Sequence, residues 1–227
     1  PVAAFLEPRH SQVAAAVNTF GQNQLVRKPD PDTDAEARIR ARALVPLLAT
    51  AGLYNAVKKL DLRAVSLIRE GLAWHSPLAD EVYALQALGS MPIRLGGSEP
   101  LQARWLPEID DGKLMCGFAM TEMDAGSDVG AMTTRATRDD GHWVLEGRKS
   151  FISNAGTDMS FGVTLLARTP SAVGQPERYG SFVVEKDTPG FTMGPKMRGI
   201  GWRGLDTREL YLDDVWVPDE HLVGDPD

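Results

Sequence analysis

The sequence of 227 residues contains one cysteine, Cys116, and only four histidines. A single cysteine cannot form an internal disulfide, which is typical of a protein from a reducing compartment. The histidines, at positions 10, 75, 142 and 221, do not have the spacing of zinc ligands. We therefore expect neither a disulfide framework nor a metal site.

Basic residues and long apolar segments are also scarce. The chain has 24 Lys and Arg against 31 Asp and Glu, a formal net charge of -7, and no cluster of basic residues. Such a chain is not expected to bind nucleic acid. The longest apolar runs, such as residues 162–167, are far too short to cross a membrane, and residues 1–20 lack the pattern of a secretory signal. These features predict a cytoplasmic protein with no membrane partner.

What the chain does have is the composition of a globular protein, with 43% hydrophobic and 24% charged residues. Residues 1–114 show helical periodicity, as where Asp61 caps a run with apolar residues at Leu62, Val65 and Ile68. The pattern predicts helices over residues 35–45, 61–70, 78–95 and 98–110. Prolines are expected to interrupt or kink two of them, at Pro46 and Pro92.

After residue 112 the period changes to that of strands. Short β-rich runs cover residues 142–147, 162–168, 181–186 and 209–212, with turn signals at 139–141, 189–190 and 213–214. Strands at this spacing usually close into a barrel or sandwich. The sequence therefore predicts an α+β protein, with an N-terminal helical domain over residues 1–114 and a β-barrel or sandwich domain over residues 115–227.

Two segments could carry chemistry. In residues 121–128, Gly126 permits close approach to the backbone, and Thr121 and Ser127 offer hydroxyls. Such a loop could hold a pyrophosphate or the polar edge of a ring, but the same residues also form ordinary solvent turns. Phe151 beside Ser153 is open to two interpretations as well, because aromatics are more often core residues than cofactor platforms.

The combination of motifs distinguishes these possibilities. Five motifs follow one another: Thr-Glu-x-x-Ala-Gly-Ser-Asp at 121–128, Gly-x-Lys-x-Phe-Ile-Ser-Asn at 147–154, Asp-Thr-Pro-Gly at 187–190, Gly-x-Arg-Gly-x-Asp-Thr at 201–207, and Asp-Asp-Val-x-Val-Pro at 213–218. In this order and spacing they closely resemble the acyl-CoA dehydrogenase family of FAD-dependent flavoproteins. The resemblance is dense from about residue 115 to residue 224 and weaker in the helical half.

The resemblance implies a set of FAD-binding residues: Phe118, Met120, Thr121, Gly126, Ser127, Phe151, Ile152 and Ser153. By analogy with the family, Thr121 hydrogen-bonds the pyrimidine side of the isoalloxazine, and Phe151 stands against the flavin ring. Ser153 places a hydroxyl near N5. Ser127 lies near the pyrophosphate and the CoA arm, so it also binds substrate.

The activity implied by the resemblance is α,β-dehydrogenation of an acyl-CoA, with hydride transfer to flavin N5 and electrons leaving to an electron-transfer flavoprotein. The resemblance also implies a homo-oligomer, either a dimer or a tetramer, or a hetero-oligomer when the protein is complete, and it implies a catalytic glutamate in a C-terminal helical domain. The sequence ends at Asp227 without that domain, so no catalytic residue is assigned here. A flavin monooxygenase, a nitroalkane oxidase or a non-catalytic flavin- or CoA-binding partner subunit remain the alternatives.

The chain departs from the family pattern at two motif positions. Met123 replaces a usual proline, and Leu205 replaces a common serine. We expect the loop of residues 121–128 to be less rigid and one polar contact of the motif at residues 201–207 to be absent.

Overall fold

The computed structural model describes residues 2–25, 31–170 and 178–225. Within these residues the α-helices are α1 (Pro8–Gln24), α2 (Asp34–Thr50), α3 (Asn55–Lys58), α4 (Leu62–His75), α5 (Pro77–Gly96) and α6 (Glu99–Asp110). The strands that follow are β1 (Met115–Ala119), β2 (Arg135–Asp139), β3 (His142–Ser153), β4 (Ser160–Thr169), β5 (Arg178–Glu185), β6 (Phe191–Met193), β7 (Thr207–Pro218) and β8 (Leu222–Val223). The predicted α+β class, with helices first and strands second, is confirmed.

The helix starts follow the capping residues. Asp61 accepts a hydrogen bond from the amide of Ala64 at 3.1 Å and so begins α4, as predicted. Pro46 and Pro92 lie inside α2 and α5, so the prediction that they end these helices was wrong, while a kink at either proline stays a prediction. Because the neighbouring residues are buried in the core, tertiary packing stabilises the helix beyond each proline.

Helix α1 has no counterpart in the sequence prediction. Its buried residues are His10, Val17 and Gly21, so it lacks a continuous apolar stripe. The helix nevertheless packs tightly on α4: a Cβ added to Gly21 would lie 2.0 Å from the His75 ring, and one added to Gly71 would lie 2.5 Å from Val17. Close helix crossing at glycine is a tertiary feature that hydrophobic periodicity does not report.

The strands form one eight-stranded sheet with the order β6-β7-β3-β2-β4-β5-β8, and β1 pairs in parallel with β4. The sheet curves strongly, since the Trp143 ring on β3 contacts the Phe182 ring on β5 with centroids 5.2 Å apart, although two strands lie between them. Apolar residues from β1 to β7 share a single core cluster. This agrees with the predicted β-domain.

Residues 213–214 are not the turn that the sequence predicts. Both are exposed, but they lie inside β7, where Leu212 pairs with Gly147 and Val215 with Leu145. Two residues of β7 therefore face one residue of β3, and Asp214 has a φ of +50°. The two acids form a β-bulge, which is why their turn-like composition occurs within a continuous strand.

The helical half packs directly on the sheet. Trp105 of α6 stacks on Phe161 of β4 with ring centroids 3.9 Å apart. Gly89 of α5 lies so close to β1 that an added Cβ would be 1.9 Å from the Cys116 carbonyl oxygen. Helix α5 is thus held beside the strand that leads into the loop of residues 120–128. None of the helices in the described part of the chain has the length and apolarity needed to cross a membrane.

Candidate functional site

A buried ion pair holds the loop that follows β1. The Lys149 side chain is fully buried, and its Nζ donates to Glu122 Oε1 at 2.9 Å and to the Met120 carbonyl at 3.0 Å. The Glu122 carboxylate also accepts from the Thr133 amide at 2.8 Å, the Thr133 hydroxyl at 2.7 Å and the Thr134 amide at 2.9 Å. The carboxylate and a loop carbonyl are therefore both tied to β3.

The electrostatics of this pair follow from its contacts. Burial by itself raises the pKa of Glu122, but hydrogen bonds from Thr134, Thr133 and Lys149 outweigh it and lower the pKa to about 2. Burial lowers the pKa of Lys149, and the Glu122 carboxylate opposes that shift. Because the Glu122 carboxylate accepts four hydrogen bonds and has a pKa of about 2, it is ionised at neutral pH, and its charge favours the protonated form of Lys149.

Beyond the ion pair the loop makes a tight turn and opens to solvent. The Glu122 amide donates to the Ala125 carbonyl at 2.9 Å, and the Ser150 amide donates to the Thr121 carbonyl at 2.8 Å. Gly126 and Ser127 follow this turn and are exposed. A Cβ added to Gly126 would meet nothing within 4 Å, so the backbone there faces open space.

A second β-bulge places Phe151 at the surface. Ser150 and Phe151 lie opposite one residue of β7, between the pairs Lys149 with Leu210 and Ile152 with Arg208. Phe151 has a φ of +60° and is 57% exposed. A non-glycine residue in this region costs about 1 to 3 kcal/mol, and an exposed aromatic ring recovers little of it by burial. Strain without a packing benefit is typical of a functional position, and bulges often adjoin active sites.

The bulge and the loop meet at one cavity of about 220 Å³. Six of the predicted site residues line it: Phe118, Met120, Thr121, Phe151, Ile152 and Ser153. The Ser153 hydroxyl lies 3.1 Å from the Thr207 hydroxyl, which orients it. Gly126 and Ser127 do not line this cavity, and their predicted contacts with the cofactor remain predictions.

Three further residues line the same cavity without having been assigned to it from the sequence. Leu85 and Leu88 come from α5, where their apolar spacing indicates only a helix. Trp202 occupies the first of the two positions that the motif at residues 201–207 leaves open. It is 47% exposed and has a φ of +52°. Nothing in its local sequence indicates that it lies beside Phe151.

A larger cavity of about 650 Å³ adjoins the first and shares Phe151 and Trp202 with it. The segment of residues 196–205 and the start of α2 form its other walls. Its charged residues are partly paired, since Lys196 Nζ and Arg203 Nε donate to Asp34 at 2.7 and 2.8 Å. Among the residues that the structure describes, no group of three His, Cys, Asp or Glu side chains is placed to hold a metal ion.

Helices packed on one strongly curved sheet form the fold that this chain shares with solved acyl-CoA dehydrogenases. A glutaryl-CoA dehydrogenase from Mycobacterium smegmatis, solved in complex with FADH2, matches with a TM-score of 0.78 and 25% identity, covering 96% of this chain and 56% of that one. Butyryl-CoA dehydrogenase from Megasphaera elsdenii matches with a TM-score of 0.75 and 26% identity, covering 97% and 60%.

The sequence comparisons identify the family. The profile for the acyl-CoA dehydrogenase middle domain matches residues 117–215. A probable acyl-CoA dehydrogenase FadE25 from Mycobacterium tuberculosis is 36% identical over 170 residues, which are 73% of this chain and 42% of that protein. A cyclohexane-1-carbonyl-CoA dehydrogenase from Syntrophus aciditrophicus is 39% identical over 141 residues, 62% of this chain and 36% of that protein. The chain belongs to the acyl-CoA dehydrogenase family.

The predicted resemblance is thereby confirmed, while the oxygenase, nitroalkane oxidase and partner-subunit alternatives receive no support from these relatives. The chain spans about two fifths of the length of the curated relatives it matches.

Proposed function

We propose that this chain forms the flavin site of an FAD-dependent acyl-CoA dehydrogenase, with residues 1–114 as its helical domain and residues 115–227 as its flavin-binding β-domain. The observation that carries the proposal is the single cavity shared by Thr121, Phe151 and Ser153, which come from two separate motifs. The buried pair of Lys149 and Glu122 joins those motifs, and Lys149 also binds the carbonyl of Met120, which lines the cavity.

The residues present fit a flavin. The cavity offers an exposed aromatic at Phe151 and hydroxyls at Thr121 and Ser153, a combination suited to a planar ring with a polar edge. On either side of the stretch from Phe151 to Ser153, the buried Ser150 Oγ and Asn154 Nδ2 have no hydrogen-bond partner in the described structure. Neither Ser150 nor Asn154 lines the cavity, so the fit rests on the aromatic ring and the hydroxyls that do.

Each residue has a role in the proposed site. Thr121 holds the pyrimidine side of the ring, Phe151 packs against the ring and excludes water, and Ser127 lies beside the pyrophosphate and the CoA arm. Ser153, oriented by Thr207, places a hydroxyl near N5. A bound FAD would supply the acceptor for the hydride of the acyl-CoA β-carbon, and the Thr121 and Ser153 hydroxyls would stabilise the negative charge that the reduced ring gains.

Removal of the substrate's α-proton needs a base. Among the described residues that line the cavity there is no carboxylic acid, so we propose that the base approaches from outside these residues. We further propose that electrons pass to an electron-transfer flavoprotein and that the working enzyme is a homo-oligomer. Both proposals rest on family membership alone.

The test is FAD binding by the purified chain, followed by flavin fluorescence during titration. Gly126→Trp is expected to weaken binding by tenfold or more, because the side chain fills the space proposed for the cofactor's phosphates. The free protein has room for it, so the free energy of unfolding should change little.

Thr137→Trp, on the exposed face of β2, is the matched control and should bind FAD like the parent. A parent chain that binds no FAD would contradict the proposed function. Equal FAD affinities for Gly126→Trp and Thr137→Trp would show that the loop of residues 121–128 does not belong to the cofactor site.

A further inference from the structure

The segment between β6 and β7, residues 196–206, is here called the Trp202 loop. Its base is closed by the Met197 amide, which donates to the Thr207 carbonyl at 2.9 Å. Its end is tied to the Phe151 bulge, because the Asn154 amide donates to the Asp206 carbonyl at 2.7 Å. The loop is therefore anchored directly after residues 151–153, the part of β3 that lines the flavin cavity.

The C-terminal part of the loop is built into the helical core. Leu205, the residue that departs from the family pattern, is buried in the cluster formed by α2, α4 and α5. Gly204 is pressed against the same helices: an added Cβ would lie 2.3 Å from Leu78 Cδ1 and 3.2 Å from Ala41 Cβ. A serine at this position would offer a polar side chain, whereas Leu205 anchors the loop by packing in the hydrophobic core.

Charged groups hold the loop from two helices. Glu81 of α5 is 2% exposed, and its Oε1 accepts from the Leu205 amide at 3.2 Å. The Asp34 carboxylate, at the start of α2, accepts hydrogen bonds from Lys196 Nζ and Arg203 Nε. Arg203 also donates to the Asp32 carbonyl at 3.1 Å. These contacts hold the loop at Lys196 and at residues 203–205, on either side of Trp202.

The ring of Trp202 itself makes no comparable contribution to the core. It is about half exposed, and its backbone adopts the left-handed conformation that a bulky residue avoids. Phe151 combines the same two properties, and the two aromatics line both cavities. The shared strain and exposure indicate that the rings are presented to a ligand.

We propose that Trp202 is a binding residue for the flavin ring, forming a second aromatic wall of the cavity, and that Asp34 acts as a positioning residue through the Trp202 loop. The inference deepens the proposed function and rests on it. It adds to the site a residue from a loop that carries none of the predicted contacts. The matching ligand chemistry is a planar conjugated ring, since such rings stack favourably on indole.

The experiment measures FAD affinity by quenching of flavin fluorescence. Trp202→Ala is expected to weaken binding by about fivefold to tenfold, a range typical of a lost aromatic pair, and Trp202→Phe should recover part of the affinity. Trp216→Ala is the control, because Trp216 on β7 is 50% exposed and lies outside the lining of the flavin cavity. It should bind within twofold of the parent. Circular dichroism establishes that each variant is folded.

Asp34→Ala tests the positioning role. It should weaken FAD binding severalfold, and the double variant with Trp202→Ala should be no weaker than Trp202→Ala alone, because Asp34 acts only through the ring. Additive losses would overturn the positioning role. If the parent binds FAD and folded Trp202→Ala binds it equally well, the inference about Trp202 is wrong while the proposed flavin site stands. If the parent does not bind FAD, the proposed function fails first.

Discussion

Lys149 Nζ lies 2.9 Å from Glu122 Oε1 in a buried ion pair that joins two motifs, its residues 27 positions apart in the chain. The ammonium also holds the Met120 carbonyl, and the carboxylate holds the Thr133 and Thr134 amides. The pair thus fixes Met120, one of the residues that line the cavity.

Breaking the pair should be strongly destabilising. Glu122→Gln is expected to lower the free energy of unfolding by about 3 to 5 kcal/mol, because it leaves the Lys149 charge buried without a counter-ion. Urea denaturation at pH 7 measures the change. The double variant Glu122→Gln with Lys149→Met should recover part of the loss.

Glu146→Gln is the control for that experiment. Glu146 pairs with Arg135 at 2.7 Å, but both side chains are well exposed, and such pairs contribute about 1 kcal/mol or less. Similar losses for Glu122→Gln and Glu146→Gln would show that the buried pair has no special structural role.

Glu81 should make stability depend on pH. Burial raises its pKa from 4.5 to about 7, against the opposing hydrogen bonds from the Leu205 and Gly204 amides. Because the folded state binds the proton more tightly than the unfolded state, this contribution is fully present below pH 4.5 and is lost as the pH rises through 7. Lys196 and Arg38 are the cations that face the group.

The measurement is urea denaturation between pH 4.5 and 8. Glu81→Gln should remove the part of the decline that belongs to this carboxyl, so the parent loses more stability than the variant over this range. Glu99→Gln, at an exposed position of α6, should keep the parent profile. Parallel profiles for the parent and Glu81→Gln would mean that Glu81 does not titrate in this interval.

Phe151 is expected to lower the stability of the fold while it contributes to FAD binding. Phe151→Gly relieves the left-handed backbone strain and removes little buried area, so the free energy of unfolding should stay within about 1 kcal/mol of the parent or rise. FAD binding should weaken, because the ring that packs on the flavin is gone. Thermal unfolding and FAD titration measure the two effects on one preparation.

Phe191→Ala is the contrasting variant. Phe191 is buried in the β-domain core, and its truncation should lower the free energy of unfolding by about 3 to 5 kcal/mol. If Phe151→Gly proves equally destabilising, Phe151 is a packing residue of the fold and not a ring presented to the flavin.

The hydroxyl of Ser153 should contribute to cofactor binding. Ser153→Ala removes a hydrogen-bonding group at the cavity wall and is expected to weaken FAD binding by about 1 to 3 kcal/mol while leaving the fold intact. Thr207→Ser retains the partner hydroxyl and should change affinity much less. Unchanged affinity in Ser153→Ala would make Ser153 an ordinary strand residue.

Much of the local structure could be predicted from the sequence because it depends on residues close together in the chain. The capping of α4 by Asp61 and the hairpin at residues 139–141 involve contacts within a few positions. Local rules failed where packing overrode them, as at Pro46 and Pro92 and in the bulge at residues 213–214. Helix α1 was missed because glycine and histidine, not an apolar stripe, form its buried face.

The sequence by itself determined the family, the order of helices and strands, and six residues that line the cavity, since ordered motifs and short-range periodicity carry that information. Only the tertiary structure decided that Trp202 joins the cavity, that Glu81 holds a loop 124 positions away, and that Lys149 pairs with Glu122. These contacts depend on how strongly the sheet curves, where its bulges fall and how α2 and α5 pack. A side chain's long-range partner is set by that geometry, which no local pattern of residues specifies.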